Sequence, residues 1–276
     1  MTAPGSPESP DAAPGAPEPP RVGTAGWSLP RAEQPRFPGA GTHLVRYARV
    51  LDAVEINSSF YRPHRAAVYA RWAAGVPAGF RFAVKVPRTI THERRLGDVD
   101  APLDAFLEQV AGLGARLGCL LVQLPPSLAL DPGIAAAFLA TLRDRHAGAV
   151  VLEPRHASWF TADAEALLVA HRVARVVADP APVPAAAHPG GATEVLYLRL
   201  HGSPRVYWSA YDDAALDAVA ARVRAARRAG TPAWCIFDNT AAGAALPNAL
   251  ALLARLDAAA TPTSSPPPPP PPPRAR

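Results

Sequence analysis

Short runs rich in Val, Ile and Leu alternate along the chain with longer Ala/Leu/Arg stretches whose apolar residues recur at helical spacing. Eight runs read as strands: 21–26, 53–57, 80–86, 119–124, 149–153, 174–179, 195–201 and 233–238. Length and β-branched content, rather than period, separate them from buried helix. Helical stretches at 42–51, 65–74, 101–117, 132–145, 161–171, 212–229 and 243–257 fill most of the gaps. Pro180 to Thr193 is rich in Pro and Gly and reads as a loop.

Eight strands, most followed by a helix, are the arithmetic of a (β/α)8 TIM barrel, typically about 250 residues. A doubly wound open sheet is the competitor, and it should carry polar strand ends only near its switch point. Here every run ends in polar groups or a Gly turn, from Gly26-Trp27-Ser28 to Asp238-Asn239. The expected fold is therefore a single α/β TIM barrel over residues 21–260.

Strand alternation sharpens where chemistry should lie. In Val54-Glu55-Ile56-Asn57 the polar pair shares one face, and the same holds for Glu153 with Arg155 and Arg199 with His201. Apolar partners such as Val84, Val86, Leu198 and Leu200 cover the opposite, helix-facing side. The polar set Glu55, Lys85, Gln123, Glu153, Arg155, Asp179, Arg199, His201 and Asp238 is thus expected to converge in one cavity. Glu55, Lys85, Glu153, Asp179 and His201 are the catalytic candidates. Ligand-binding candidates are Trp27, Asn57, Tyr61, His92, Gln123, Arg155, His156, Trp159, Arg199, Tyr207, Asp238 and Asn239. The aromatic members, with Trp208 and Tyr211, follow strand ends and suit stacking on a planar or sugar-like ligand. A self-satisfied ion-pair layer plugging the barrel is the competing reading, although apolar residues could fill that space at least as stably.

Composition changes the picture in three places. Of 34 Pro, seven lie in residues 1–20 and nine in 261–276, where Pro266 to Pro273 are consecutive. Both segments are expected to be disordered tails, the second a polyproline II spacer. No apolar run approaches the 18 to 20 residues, roughly, that span a bilayer, and residues 1–20 do not resemble a signal peptide, so no membrane partner is expected. Cys119 and Cys235 lie in apolar runs and read as buried thiols in a reducing, cytoplasmic compartment. The net charge of +5 comes from Arg scattered among acids, a weak pointer to nucleic acid.

Among the 28 basic residues, 27 are Arg and one, Lys85, is Lys. An amine can lose its proton and act as a base or Schiff-base nucleophile, whereas a guanidinium cannot. No dinucleotide fingerprint, P-loop, His-Glu-x-x-His or Gly-x-Ser-x-Gly occurs. No spacing demands a metal, and the Arg-rich mouth opposes a dication, so no metal or cofactor is expected.

These segments also carry a resemblance. Gly23-Thr-Ala-Gly-Trp-Ser28, Val54-Glu-Ile-Asn-Ser-Ser-Phe-Tyr61, Phe80-Arg-Phe-Ala-Val-Lys-Val-Pro87 and Ile90-Thr-His92 resemble the YecE-like family. So do Gln123-Leu-Pro-Pro126, Glu153-Pro-Arg-His156 with Ser158-Trp159, Tyr197-Leu-Arg-Leu-His-Gly202 and Phe237-Asp-Asn239. The resemblance covers residues 21–257, roughly, and implies a TIM barrel in a family with no established substrate or cofactor. Family members often read Phe-Asn-Asn or similar where this chain has Phe237-Asp238-Asn239.

The leading functional reading is an acid–base enzyme acting on an anionic, phosphate-bearing ligand, either a small molecule or nucleic acid. Arg155, Arg199 and Lys85 would hold the anion, Glu55 or Glu153 would be the base, and His201 or His156 the acid. Three alternatives stay open: a non-catalytic ligand- or nucleic-acid-binding protein, a glycosidase-like hydrolase using Glu55 and Glu153, and a Schiff-base lyase using Lys85.

Overall fold

The computed structural model describes residues 18–258, so the expectations for residues 1–17 and 259–276 lie outside the described residues. The fold is mixed α/β, built on parallel strands. They are β1 (Arg21–Thr24), β2 (Ala53–Ile56), β3 (Arg81–Lys85), β4 (Leu117–Gln123), β5 (Ala149–Glu153), β6 (Val173–Arg175), β7 (Val177–Asp179), β8 (Gly190–Gly191), β9 (Leu196–Leu200) and β10 (Ala233–Phe237). Two sheets result, one ordered β1-β10-β9-β7 and the other β2-β3-β4-β5-β6-β8. Neighbours run parallel except β8, which is antiparallel to β6.

Among the described residues eight α-helices connect or follow the strands: α1 (His43–Tyr47), α2 (Ser58–Tyr61), α3 (Ala66–Ala74), α4 (Asp100–Val110), α5 (Pro132–Arg145), α6 (Ala162–Ala170), α7 (Asp213–Arg228) and α8 (Ala245–Ala258). Their starts follow local chemistry. Asp131 accepts from the amides of Gly133 and Ile134 ahead of Pro132, and Thr161 and Asp212 cap α6 and α7 in the same way. In α7 the buried residues Leu216, Val219, Ala220 and Val223 recur at helical spacing and face the sheet.

Several elements differ from the sequence expectation. The run 174–179 divides at Val176: β6 pairs with β5, and β7 pairs with β9. The loop 180–193 contributes the short strand β8. The helix expected over 101–117 ends at Val110 and tightens into 3-10 turns, because Gly114 takes φ +51°. Among the described residues the strands form two ladders, not one continuous ring of eight.

Where β1 meets β2, side chains replace ladder bonds. Ala25 and Glu55 form one bridge, and the Gly26 amide donates to Glu55 O at 2.9 Å. The Tyr47 hydroxyl accepts from the Thr24 amide at 2.9 Å and donates to Ala53 O at 2.9 Å. Asp52 Oδ1 accepts from the Val22 amide at 3.0 Å. Gly23 is required here, since a Cβ would sit 2.1 Å from Ala53 O.

Alternation sorts the strand residues into two cores. Val54, Ile56, Val84, Leu152, Leu198 and Leu200 join helix residues such as Leu103, Leu139, Leu168 and Leu252. On the opposite face, Ala53, Ala83, Cys119, Leu121, Val151, Tyr197, Trp234 and Ile236 form a second cluster. Burying each large apolar side chain stabilises the fold by about 1.5–3 kcal/mol. Two residues further along most of these strands, on the same face, the sequence turns polar: Glu55, Lys85, Gln123, Glu153, Arg199 and Asp238. The second core is therefore the floor of a charged layer.

Candidate functional site

Arg199 is the hub of that layer. Its Nε and Nη2 donate to the two oxygens of Glu55 at 3.0 and 2.8 Å, and Nη1 donates to Glu153 Oε2 at 3.0 Å. Nη2 also lies 2.9 Å from Asp238 Oδ2. Tyr197, two residues before Arg199 on the same strand face, donates its hydroxyl to Glu55 Oε2 at 3.0 Å. Glu55 is 0% exposed, so its charge is matched wholly from within. Burial disfavours the Arg199 cation, but Glu55, Asp238 and Glu153 overcome it and raise its pKa well above the ordinary value.

His201 bridges two acids. Its Nε2 lies 2.9 Å from Glu153 Oε1 and its Nδ1 lies 3.1 Å from Asp238 Oδ2. Both ring nitrogens lie within hydrogen-bond distance of carboxylates, which favours the doubly protonated ring, while Nε2 also lies 3.2 Å from Arg155 Nη2. Burial opposes that charge, yet Glu153 and Asp238 raise the His201 pKa. The reciprocal effect falls on the acids. Burial alone would raise Glu153, but Arg199 and His201 hold it well below the usual carboxylate range. Asp238 is lowered against its own burial by Arg199 and His201. Arg155, at the rim, donates from Nη2 to Glu153 Oε1 at 2.8 Å.

Lys85 behaves differently. It is 5% exposed, yet among the described residues no carboxylate lies within 4.0 Å of its ammonium. Its Nζ sits 4.1 Å from the centroid of the Phe60 ring. Burial, then the nearby Arg199 charge, pull its pKa down to about 8, with Glu55, Glu153 and Asp238 opposing. Three carboxylates (Glu55, Glu153, Asp238) thus face three cations (Lys85, Arg155, Arg199), and protonation of His201 would make the layer net positive.

The other sequence candidates fall around this layer or away from it. His92 stacks edge-on against Phe60 at 4.9 Å, and burial, Lys85, Arg88 and Arg155 lower its pKa. Tyr207, at φ +68°, places its ring 5.7 Å from His201. Gln123 ends β4 with only a 3.5 Å contact to Leu124 O. Asn57 Oδ1 is enclosed without a partner among the described residues. Asn239 donates to Ser209 O and Asn248 Oδ1, both at 2.9 Å, and holds the following loop.

Four expectations of placement change. Asp179 does not join the layer: its carboxylate accepts from the Tyr211 hydroxyl at 2.8 Å. Trp159 is 1% exposed and donates Nε1 to Leu128 O at 3.0 Å, so it packs under its loop instead of facing a ligand. Trp27 packs edge-on against Trp72 and Phe82. His156 Nδ1 accepts from the Ser158 amide at 3.2 Å and caps a turn. Tyr61, 69% exposed, and Trp208, stacked by Arg205 at 4.3 Å, remain open to solvent. Sequence reasoning missed Tyr197 and Phe60. Tyr197 shares the alternation of Arg199 and His201 and could have been read from it; nothing in the sequence marks Phe60.

A cavity of about 210 Å³ opens over Glu153, Arg155 and His201, walled by Pro180, Pro182 and Val206. A larger one, about 440 Å³, lies at the far end of α7, and its only charged lining residue, Arg222, is bonded to Ala187 O. Among the described residues no group of three or more His, Cys, Asp or Glu is arranged to hold a metal ion. No helix among them is long and apolar enough to cross a membrane. Cys119 and Cys235 are buried free thiols, and burial raises the pKa of both.

Comparison with known proteins adds the following. A family model described as "Protein of unknown function DUF72" matches residues 21–274. UPF0759 protein YecE of Escherichia coli K12, and that of strain O157:H7, are each 35% identical over 98 residues. That match covers 35% of this chain and 36% of the relative, so it spans about a third of the curated relatives' length. A DUF72 family protein from Enterococcus faecalis V583 superimposes with a TM-score of 0.71 at 22% identity, covering 86% of this chain and 95% of that one. Another, from Thermotoga maritima, gives 0.69 at 23% identity, covering 86% and 99%. At these identities the structural likeness shows the fold alone.

Proposed function

Because the chain belongs to the DUF72 family, a family of unknown function, its chemistry has to be read from the site, and we propose that the charged layer is an acid–base centre for a small anionic ligand. A phosphate or carboxylate would be held by the buried Lys85 together with Arg155, which lines the 210 Å³ cavity. The observation that carries this reading is Lys85: a buried ammonium without an acidic partner, among cations that all have one. An anion would complete it, and would neutralise the layer's excess positive charge.

The roles then follow from protonation. His201 is the proton donor, an imidazolium held between two carboxylates at the floor of the 210 Å³ cavity. His92, whose pKa is lowered, is available as a neutral base. Glu55, Asp238 and Arg199 form the scaffold that fixes these groups. A glycosidase-like pairing of Glu55 and Glu153 is not favoured, since one guanidinium bridges both carboxylates. The cavity's size suits a small molecule better than a nucleic-acid strand.

We also infer that the two sheets are arcs of one (β/α)8 barrel spanning the domain expected at 21–260. Support comes from the Ala25–Glu55 bridge at one junction and from residues 173–179, which serve both sheets, at the other. A site at the C-terminal ends of the strands is where such barrels carry their chemistry.

Thermal-shift titration of the full chain with inorganic phosphate, phosphate monoesters and short carboxylates tests the anion site. The expected result is a saturable rise in Tm with at least one class, abolished in Arg155→Met. No shift across the whole panel overturns the proposal.

A further inference from the structure

We propose that Lys85 is an imine-forming nucleophile for a small carbonyl compound that also carries an anionic group, a 2-oxo acid or an aldehyde phosphate. This deepens the anion-site reading and rests on it.

Four observations lead there. First, the chain builds 27 of its 28 basic residues from Arg and places its one Lys at the end of β3, inside the charged layer. If only a positive charge were needed, Arg would serve, as it does at 155 and 199; only the amine can form a C=N bond. Second, no carboxylate among the described residues pins the ammonium, so the nitrogen need not break an ion pair to react. Third, its Nζ lies over the Phe60 ring at 4.1 Å, so the amine is held in place by an aromatic face and not by a carboxylate it would have to leave. Fourth, Arg155 stands at the rim of the same layer with one acid partner, Glu153, leaving the remaining N–H groups of its fork for a ligand's anionic group. Burial brings the amine pKa to about 8. About a tenth of the chains then carry a neutral Lys85 at pH 7, roughly 300-fold more than at the ordinary lysine value.

The chemistry balances without an added oxidant or reductant. The neutral amine attacks the carbonyl carbon, and the C=O electron pair moves to oxygen, which takes a proton. The nitrogen gives up a proton to solvent, forming the carbinolamine. The hydroxyl then leaves as water after taking a second proton, for which the His201 imidazolium is the resident donor. The product is a protonated imine. It carries the same single positive charge as the ammonium it replaces, so the Arg199-centred ion pairs keep their balance.

A chain with one lysine gives an unusually clean test. The full-length protein is incubated at pH 8 with pyruvate, or separately with glycolaldehyde phosphate, then reduced with borohydride and mapped by mass spectrometry. The only competing amine is the chain's α-amino terminus. The expected result is a reduced adduct on the peptide bearing Lys85, saturable in probe and formed at least about tenfold faster than at the terminus. Whichever probe reacts identifies the preferred anion. Lys85→Arg should lose the adduct while keeping its fold, by circular dichroism; lactate and glycerol phosphate, which lack the carbonyl, report anion binding to the wild-type chain by thermal shift. Absence of a Lys85 adduct with both probes, or labelling no faster than at the terminus, overturns the imine. If lactate and glycerol phosphate still raise Tm in that case, the anion site survives; if they do not, both readings fall together.

Discussion

Replacing Lys85 by Met should make the protein more stable, and the gain should depend on pH. The substitution keeps an unbranched apolar stem over Phe60 and removes a buried ammonium that lacks a carboxylate within 4.0 Å. In the folded chain the amine's pKa falls from its ordinary 10.5 to about 8. At about 1.4 kcal/mol per pKa unit, holding the charged form costs the native state about 3 kcal/mol at pH 7. Allowing for imperfect repacking, Lys85→Met should gain about 1–3 kcal/mol, a Tm rise of roughly 2–12 °C for a domain of this size. The sign with pH follows from proton counting. Between pH 8 and 10.5 the unfolded chain keeps the Lys85 proton while the native chain has lost it, so wild-type stability rises with pH. The variant lacks this contribution, and its advantage should close as pH rises from 8 toward 10.5. Urea unfolding of both proteins at intervals from pH 6.5 to 10 reads the difference, in which titrating groups remote from Lys85 cancel. A variant less stable than wild type at pH 7, or a gain that does not change with pH, would refute the reasoning.

Two further substitutions probe the ion-pair layer. Arg199→Met leaves Glu55, Glu153 and Asp238 without their common partner and should cost about 3–5 kcal/mol in urea unfolding; a loss below 1 kcal/mol, roughly, would show that the layer is not held by this hub. Asp238→Asn keeps the shape but removes one of the two carboxylates facing His201, so the imidazole pKa, measured by NMR, should fall. In wild type the His201 contribution to stability is full below its unfolded value of about 6.5 and is lost as pH rises through the higher folded value. Asp238→Asn should shrink that loss, and an unchanged His201 titration would contradict the bridging geometry.

The strand pattern was legible because strands buried on both faces read as apolar runs, and alternation sorted Glu55, Glu153, Arg199 and His201 onto one side. Composition also showed that Lys85 was alone of its kind. What the sequence lacked was pairing across distance. Arg199 and Glu55 are 144 residues apart, and only the folded sheets bring them to 2.8 Å. Asp179 carries the same strand-end signature as Asp238, but the Tyr211 hydroxyl takes its carboxylate, a contact no local spacing announces. Trp159 looked like a mouth residue by position; a backbone carbonyl for its indole N–H let it bury instead. The break at Val176 has no sequence mark, since both halves of the run are equally apolar.

The stitching of β1 to β2 bears on how the chain assembles. β1 is the first described strand, yet its ladder partner is β10, with Arg21 opposite Trp234 and Thr24 opposite Phe237. Toward its sequence neighbour it has one bridge, the Tyr47 hydroxyl and the Asp52 carboxylate. On a ribosome, β1 would emerge early and wait for more than two hundred residues of chain before its backbone could pair. The Tyr47 and Asp52 contacts span only 23 and 30 residues, so they close far smaller loops than the ladder to β10 does.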